Sequence, residues 1–141
     1  MASSCIAVDI AVPNRTRYLA LVGNIAECLA KGLEAYSGDR DTLAFHLNLV
    51  LTEAAGNAIR HGSPANEERL LHICIEVRDD DLCIRVFDYG QGFDLDHLAP
   101  LDAGELEEGG RGILVMRALM DSVAYKKTEE GNVLEMRKKL A

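Results

Sequence analysis

Residues 43–62 read LAFHLNLVLTEAAGNAIRHG, and this stretch decides the fold class of the 141-residue chain. Its apolar residues recur every three or four positions, which predicts an amphipathic helix. Asp39 or Asp41 can cap the start of this helix, and Gly62-Ser63-Pro64 ends it after about His61. The helix is expected to bury one arc of six apolar side chains: Leu43, Leu47, Val50, Leu51, Ala54 and Ala58.

Three polar residues of the same helix follow the margin of that arc. Glu53, Asn57 and His61 are four residues apart, so they lie on successive turns of one stripe. A carboxylate and an amide in this position face the rim of the core, where a pocket can open. An ordinary solvated helix edge would show the same spacing, and the stripe alone leaves both interpretations open.

The segments on either side of this helix predict strands and two further helices. Asn14 can cap the first of these helices, after Pro13-Asn14 has ended the first strand. The predicted order is a strand over residues 4–11, a helix over 15–36, the helix already described, a hairpin of strands 69–78 and 82–88, a short helix over 111–120, and a hairpin of strands 122–127 and 133–139.

This order of elements predicts an α+β fold with two layers. Strands with helices between them favour one mixed, mostly antiparallel sheet with the helices on one face. The sequence shows no internal repeat and no linker, so residues 1–141 are expected to form a single domain.

Composition restricts the classes of function. The formal net charge of −8 argues against direct binding to nucleic acid. It suits a basic protein partner and equally suits an acidic surface that only keeps the protein in solution. No apolar run approaches the roughly 20 residues of a membrane span, and no secretory signal is visible, which predicts a cytoplasmic protein. The four cysteines lack metal-site spacing to each other and to histidine, and they are expected to be small core residues without chemistry.

The strand over residues 82–88 ends on a carboxylate that belongs to its buried face. Asp88 has the same parity as the apolar residues Leu82, Ile84 and Val86, so it must find a donor or lie at the mouth of a cavity. The following residues, YGQGF at 89–93, contain two glycines that let a ligand approach the backbone. This combination suits a base with an exocyclic amine, such as adenine.

A second glycine cluster, Gly109-Gly110-Arg111-Gly112, stands directly before the short apolar helix. Bare amides at a helix N-terminus bind anions, which predicts a phosphate site. The sequence has neither a P-loop nor a Rossmann fingerprint. Each glycine cluster alone is equally compatible with a plain turn or a helix cap, so the prediction depends on their combination with Glu53 and Asn57.

In this order the segments resemble the GHKL ATPases of the Bergerat-fold superfamily. Residues 53–62 are similar to the N-box of that family, residues 88–93 to its first glycine box and residues 110–113 to its second. The chain length, the ending NAIRHG and the first strand followed by a long helix resemble more closely the stand-alone anti-sigma-factor serine/threonine kinases.

The resemblance implies that the chain binds ATP with Mg²⁺ and phosphorylates a protein. It makes Glu53 the catalytic general base, Asn57 the Mg²⁺ ligand and Asp88 the acceptor for the adenine amino group. Residues 94–109 would form a mobile ATP lid. Other cofactor-binding positions would shape the pocket floor or contact phosphates: Gly90, Gly92, Gly110, Arg111 and Gly112.

The resemblance also implies partners. The phosphorylated protein would be a STAS-type anti-anti-sigma protein, the sequestered one a sigma factor or another effector, and the kinase itself a homodimer. Two alternatives stay open: a nucleotide-binding protein that holds its effector without catalysis, and a detached histidine-kinase-like ATPase domain. Asn132 stands where many relatives carry a Thr that joins the adenine contacts, which puts that contact in doubt.

Overall fold

Five strands and three α-helices form the described part of the chain, which in this computed structural model comprises residues 5–34, 36–61, 70–88, 108–128 and 131–141. A 3-10 turn at Thr16–Tyr18 leads into the first helix. The elements are β1 (Cys5–Pro13), α1 (Leu19–Lys31), α2 (Arg40–His61), β2 (Leu70–Arg78), β3 (Asp81–Asp88), α3 (Glu108–Leu119), β4 (Ser122–Thr128) and β5 (Gly131–Lys139).

The strands form one sheet in the order β1-β2-β3-β5-β4, with the helices on one face. Alternate residues of β2 and β3, such as Ile73 and Ile84, are fully buried in the core shared with the helices. The α+β class and the helices on one face are therefore confirmed. Each pairing among these strands is antiparallel, so the described sheet has no mixed part. None of the described helices is long and apolar enough to cross a membrane.

The second helix follows its prediction closely. All six residues of the predicted apolar arc are buried, and Asp39 is the cap. The backbone N–H of Asp41 donates to Asp39 Oδ1 at 3.0 Å, and the Thr42 hydroxyl donates to Asp39 Oδ2 at 3.0 Å. The cap satisfies donors that the first helical turn would otherwise leave unpaired.

The first helix is shorter than predicted. It ends at Lys31 with Gly32 as its C-cap, because glycine loses more backbone entropy than other residues in a helix. Asn14 is not its cap. Arg15 precedes the 3-10 turn and Tyr18 precedes α1, and neither side chain makes a capping hydrogen bond.

The third helix begins at Glu108, three residues before the predicted start at residue 111. Its first turn contains two of the glycines whose low helix propensity placed the predicted boundary too late. Packing against α2 compensates for that propensity. Residues 108 and 109, which the predicted lid included, thus belong to α3, and the rest of the predicted lid lies outside the described residues.

The cysteines differ in burial. Cys83 is buried, as predicted, and Cys74 is half-buried. Cys5 and Cys28 are exposed, so the prediction that all four are core residues was wrong. Apolar neighbours in the sequence do not tell which face of a strand or helix a residue occupies, and these two lie on the outer side of β1 and α1.

The face of the sheet opposite the helices, called the open face below, carries an ion pair that should make stability sensitive to acid. Arg85 Nε donates to Glu135 Oε2 at 2.9 Å, and this hydrogen bond is the main cause that holds the pKa of Glu135 below its ordinary value of 4.5. A depressed pKa stabilises the fold above the pKa of the unfolded chain, and that stabilisation is lost as the pH falls through the folded pKa.

We therefore expect the free energy of unfolding to fall less on acidification, from about pH 6 to about pH 3, in Glu135→Gln than in the wild type. Urea denaturation at several pH values measures it. The exposed Glu34 provides the control, since Glu34→Gln should keep the pH dependence of the wild type. Equal pH dependence in Glu135→Gln and the wild type would contradict the role of this pair.

Candidate functional site

Helix α2 places Glu53 and Asn57 one turn apart at the margin of the face that it buries. Asn57 is 1% exposed and Glu53 is partly buried, while the adjacent Ala54 and Ala58 are in the core. Asn57 is therefore not part of a solvated helix edge, which decides between the two interpretations of the polar stripe for this residue. The side chain of His61 lies outside the description.

Gly112 brings helix α3 against both side chains. A Cβ atom at this glycine would lie 2.8 Å from Glu53 Oε2 and 3.3 Å from Asn57 Nδ2. The first of these distances is shorter than a carbon–oxygen contact allows. Gly112 lies one turn into α3, where backbone N–H groups bond within the helix. The absence of a Cβ therefore lets α3 approach the carboxylate and the amide closely, while the unpaired amides belong to the residues before Gly112.

The amide of Asn57 has a hydrogen-bond partner at its oxygen but, among the described residues, none at its nitrogen. Arg60 Nη2 donates a hydrogen bond to Asn57 Oδ1. Asn57 Nδ2 is buried and has no hydrogen-bond partner among the described residues. Leaving such a donor unpaired costs about 1–3 kcal/mol, and native proteins keep few of them. A buried amide donor beside the first turn of α3 is suited to an acceptor atom of a bound ligand, such as a phosphate oxygen.

Asp88 is the centre of a second polar cluster on the same helix-covered face. It ends β3 and is 6% exposed. The Tyr125 hydroxyl donates to its Oδ2 at 2.8 Å, and Asn132 Nδ2 donates to its Oδ1 at 2.8 Å. These donors offset the cost of burying the carboxylate and fix its orientation. A carboxylate oxygen has more than one lone pair, so Asp88 can still accept from a ligand amine.

The structure thus groups the predicted residues in two clusters. One contains Glu53, Asn57 and Gly112, and the other is built around Asp88, at the end of a strand that α2 contacts. Gly110 and Arg111 belong to the first turns of α3, although the side chain of Arg111 is outside the description. Gly90 and Gly92 lie outside the described residues.

The sequence did not predict two residues of these clusters, Arg60 and Tyr125, and it put the role of a third, Asn132, in doubt. Arg60 is three residues after Asn57 on α2, and that spacing was a usable signal. Asn132 put in doubt the adenine contact that many relatives make with a Thr, and its amide donates to Asp88, which is its register partner. Tyr125 could be found only through the pairing of β4 with β5 and of β5 with β3.

The hydrogen bond from Asn132 to Asp88 should contribute measurably to the free energy of unfolding. Asn132 is 5% exposed, so water cannot readily replace its amide. Hydrogen bonds to charged groups contribute about 1.5–3 kcal/mol, and we expect Asn132→Ala to lower the free energy of unfolding by that amount. Urea denaturation measures it, with the exposed Asn24→Ala as the control that stays close to the wild type. A change below about 0.5 kcal/mol in Asn132→Ala would contradict this role of the amide.

Two serine-protein kinases are similar to this chain over most of their length. Serine-protein kinase RsbW of Staphylococcus epidermidis is 28% identical over 139 residues, which cover 92% of this chain and 84% of the relative. Serine-protein kinase RsbW of Staphylococcus aureus strain MSSA476 is 26% identical over 141 residues, covering 93% of this chain and 85% of the relative.

A solved structure has the same fold. The histidine kinase domain from the blue-light activated histidine kinase EL346 of Erythrobacter litoralis superimposes with a TM-score of 0.53 at 18% sequence identity. The match covers 92% of this chain and 62% of the solved chain. At this identity the likeness concerns the fold.

The family model of the histidine kinase-like ATPase domain matches residues 12–138. The matched range contains both polar clusters and every described strand and helix, apart from parts of β1 and β5. The chain therefore belongs to the family of histidine kinase-like ATPase domains, the GHKL group that its sequence boxes resemble.

Proposed function

We propose that this chain is an ATP-dependent protein serine/threonine kinase. The observation that carries the proposal is the contact of Glu53 and Asn57 with Gly112. It joins a partly buried carboxylate, a buried amide with an unpaired donor and the N-terminal part of α3. The similarity to relatives named serine-protein kinases supports the same activity.

The phosphate groups of ATP are assigned to the N-terminus of α3, next to Asn57. The N-terminal amides of α3, including that of Gly110, would donate to phosphate oxygens, and the unpaired Asn57 Nδ2 fits such an acceptor. Arg111, on the same helix, would add positive charge. Mg²⁺ would neutralise the phosphate charge when bound, and Asn57 Oδ1, which has a second lone pair besides the one facing Arg60, would hold it.

The adenine is assigned to the cluster around Asp88. Asp88, held by Tyr125 and Asn132, would accept a hydrogen bond from the exocyclic amino group. Guanine presents a carbonyl oxygen at the equivalent position, and two acceptors would then oppose each other. Gly90 and Gly92 would shape the pocket around the base.

Glu53 is assigned the role of the general base that takes the proton of the acceptor hydroxyl. The oxygen of a Ser or Thr side chain would attack the γ-phosphorus, while the bond from that phosphorus to the β–γ bridging oxygen breaks and ADP leaves. The hydroxyl proton passes to Glu53. Phosphoryl transfer depends mainly on position and charge neutralisation, so one carboxylate at the attacking oxygen is sufficient as the base.

The proposed protein substrate is a STAS-type anti-anti-sigma protein, and the proposed second partner is a sigma factor or another effector that the kinase sequesters. The names of the relatives support a protein substrate that is phosphorylated on serine, and the net charge of −8 suits a partner with a complementary surface. A cytoplasmic location and a homodimer belong to the same proposal. Sedimentation velocity tests the dimer.

Incubation with ATP, Mg²⁺ and a STAS protein encoded beside the kinase gene tests the activity. We expect one phosphate on a Ser or Thr of the STAS protein, detected by mass spectrometry and stable in acid. An acid-labile phosphate on His would favour the detached histidine-kinase-like domain. Tight nucleotide binding without transfer or hydrolysis would favour the non-catalytic binder, and either result would refute the kinase.

A further inference from the structure

Three potential metal ligands of different chemistry converge on the open face of the sheet, away from the helices. They are Asp9 of β1 and His72 and Cys74 of β2. Cys74 Sγ lies 2.9 Å from Asp9 Oδ1 and 3.7 Å from His72 Nε2. His72 Nε2 lies 3.9 Å from Asp9 Oδ1.

The sheet register explains why these side chains meet. His72 and Cys74 are two residues apart on β2, so they share a face, and the buried Ile73 between them points into the core. Asp9 is the direct partner of Cys74 across the β1–β2 ladder. The sequence showed no metal-site spacing because one ligand comes from a strand more than sixty residues away.

We propose that Asp9, His72 and Cys74 form a binding site for a thiol-preferring divalent cation, with Zn²⁺ as the fitting ion. A tetrahedral zinc ion with one sulfur, one nitrogen and one oxygen ligand holds these atoms about 3.4–3.6 Å apart. The His72–Cys74 separation of 3.7 Å already matches, and the two distances to Asp9 need shifts of well under one ångström. Asp9 can supply such shifts, because its side chain is 75% exposed.

The surroundings hold the ligands in place and balance the charge. The His72 ring stacks on Phe87, its register partner, with centroids 5.2 Å apart and planes inclined by 21°. Arg85 faces Cys74 from β3, but its guanidinium is bound to Glu135 at 2.9 Å. A cation at the site therefore meets a carboxylate and a thiolate, while Arg85, the cation opposite Cys74, already has a carboxylate partner.

The protein would supply three ligands and leave the fourth position open to water or another ligand. The thiol of Cys74 would bind as a thiolate, and its proton would pass to the solvent. The chemistry of the set selects against Mg²⁺, which prefers oxygen ligands in octahedral geometry. This site is therefore separate from the proposed Mg²⁺ position at Asn57. It lies on the open face of the sheet, whereas Asn57 lies on α2. The two sites also take different ions.

Cobalt(II) is the probe, since it replaces zinc and reports its own coordination. Titration of the full chain under anaerobic conditions should give one equivalent of tetrahedral d–d absorption with a thiolate-to-cobalt charge-transfer band, and added Zn²⁺ should remove both. We expect Cys74→Ser to abolish the charge-transfer band. Asp9→Asn and His72→Gln should weaken the apparent affinity at least about tenfold.

Matched variants make the outcome decisive. Cys28→Ser removes an exposed thiol on α1 and should leave the band unchanged. Glu53→Gln should also leave it unchanged, so this site can fail or succeed independently of the kinase proposal. Asp9 is exposed, so Asp9→Asn is expected to fold, as circular dichroism can verify. Absence of the band in the wild type, or its persistence in Cys74→Ser, would overturn the proposal.

Discussion

Glu53→Gln is expected to slow phosphoryl transfer by about 10²–10⁴-fold, the range that a positioned general base contributes. Glutamine keeps the size and hydrogen-bonding shape of the side chain but cannot take the proton of the attacking hydroxyl. Its neighbour Asn57 and the close approach of Gly112 stay as they are. Nucleotide affinity should therefore change only a few-fold, and the loss should appear in the transfer rate.

Single-turnover transfer from ATP to the STAS protein measures the rate, and calorimetric titration with ADP measures the affinity. Glu34→Gln, an exposed carboxylate outside both clusters, makes the same chemical change and should transfer at the rate of the wild type. If Glu53→Gln transferred within about threefold of the wild type, Glu53 would not be the base.

Gly112→Ala is expected to lower the rate of phosphoryl transfer without lowering the stability of the fold. The added Cβ would lie 2.8 Å from Glu53 Oε2 and 3.3 Å from Asn57 Nδ2, so the carboxylate has to turn away from its position. A displacement of about 1 Å in a reacting group can cost about 10²-fold in rate. Alanine is also better than glycine inside a helix by about 1 kcal/mol, which offsets the local crowding.

The expected signature is therefore a transfer rate about 10²-fold lower with a melting temperature that is unchanged or higher. Gly32→Ala is the control, because a Cβ there would meet only Leu29 O at 3.6 Å and Cys28 O at 4.0 Å, which are ordinary contacts. It should leave transfer intact. A fully active Gly112→Ala would show that Glu53 does not need its present position.

The burial pattern of α2 was predictable because six of its apolar residues recur at the helical period of 3.6 residues and fall on one arc. All six arc residues are buried, and the cap is Asp39, one of the two aspartates that the sequence offered for this role. The start of α3 was not predictable in the same way. Glycine-rich residues do not form a helix by propensity, and the contact with α2 that holds Glu108–Gly112 in a helix is a tertiary effect.

The two clusters differ in how far the sequence reveals them. Glu53 and Asn57 are close in the chain, so helical geometry predicts their proximity. The contacts of Asp88 with Tyr125 and Asn132 depend on how β3, β5 and β4 are ordered and paired, which periodicity does not fix. The cluster of Asp9, His72 and Cys74 was hidden for the same reason.

ATP is proposed to bind across the two polar clusters, and side-chain amide resonances test this binding directly. In a ¹⁵N-labelled sample, a non-hydrolysable ATP analogue with Mg²⁺ should shift the side-chain NH₂ signals of Asn57 and Asn132 and the backbone NH of Gly112. The side chain of Asn24, exposed on α1, should not move. Saturating nucleotide that leaves Asn57 and Asn132 unshifted would contradict the assignment of this pocket.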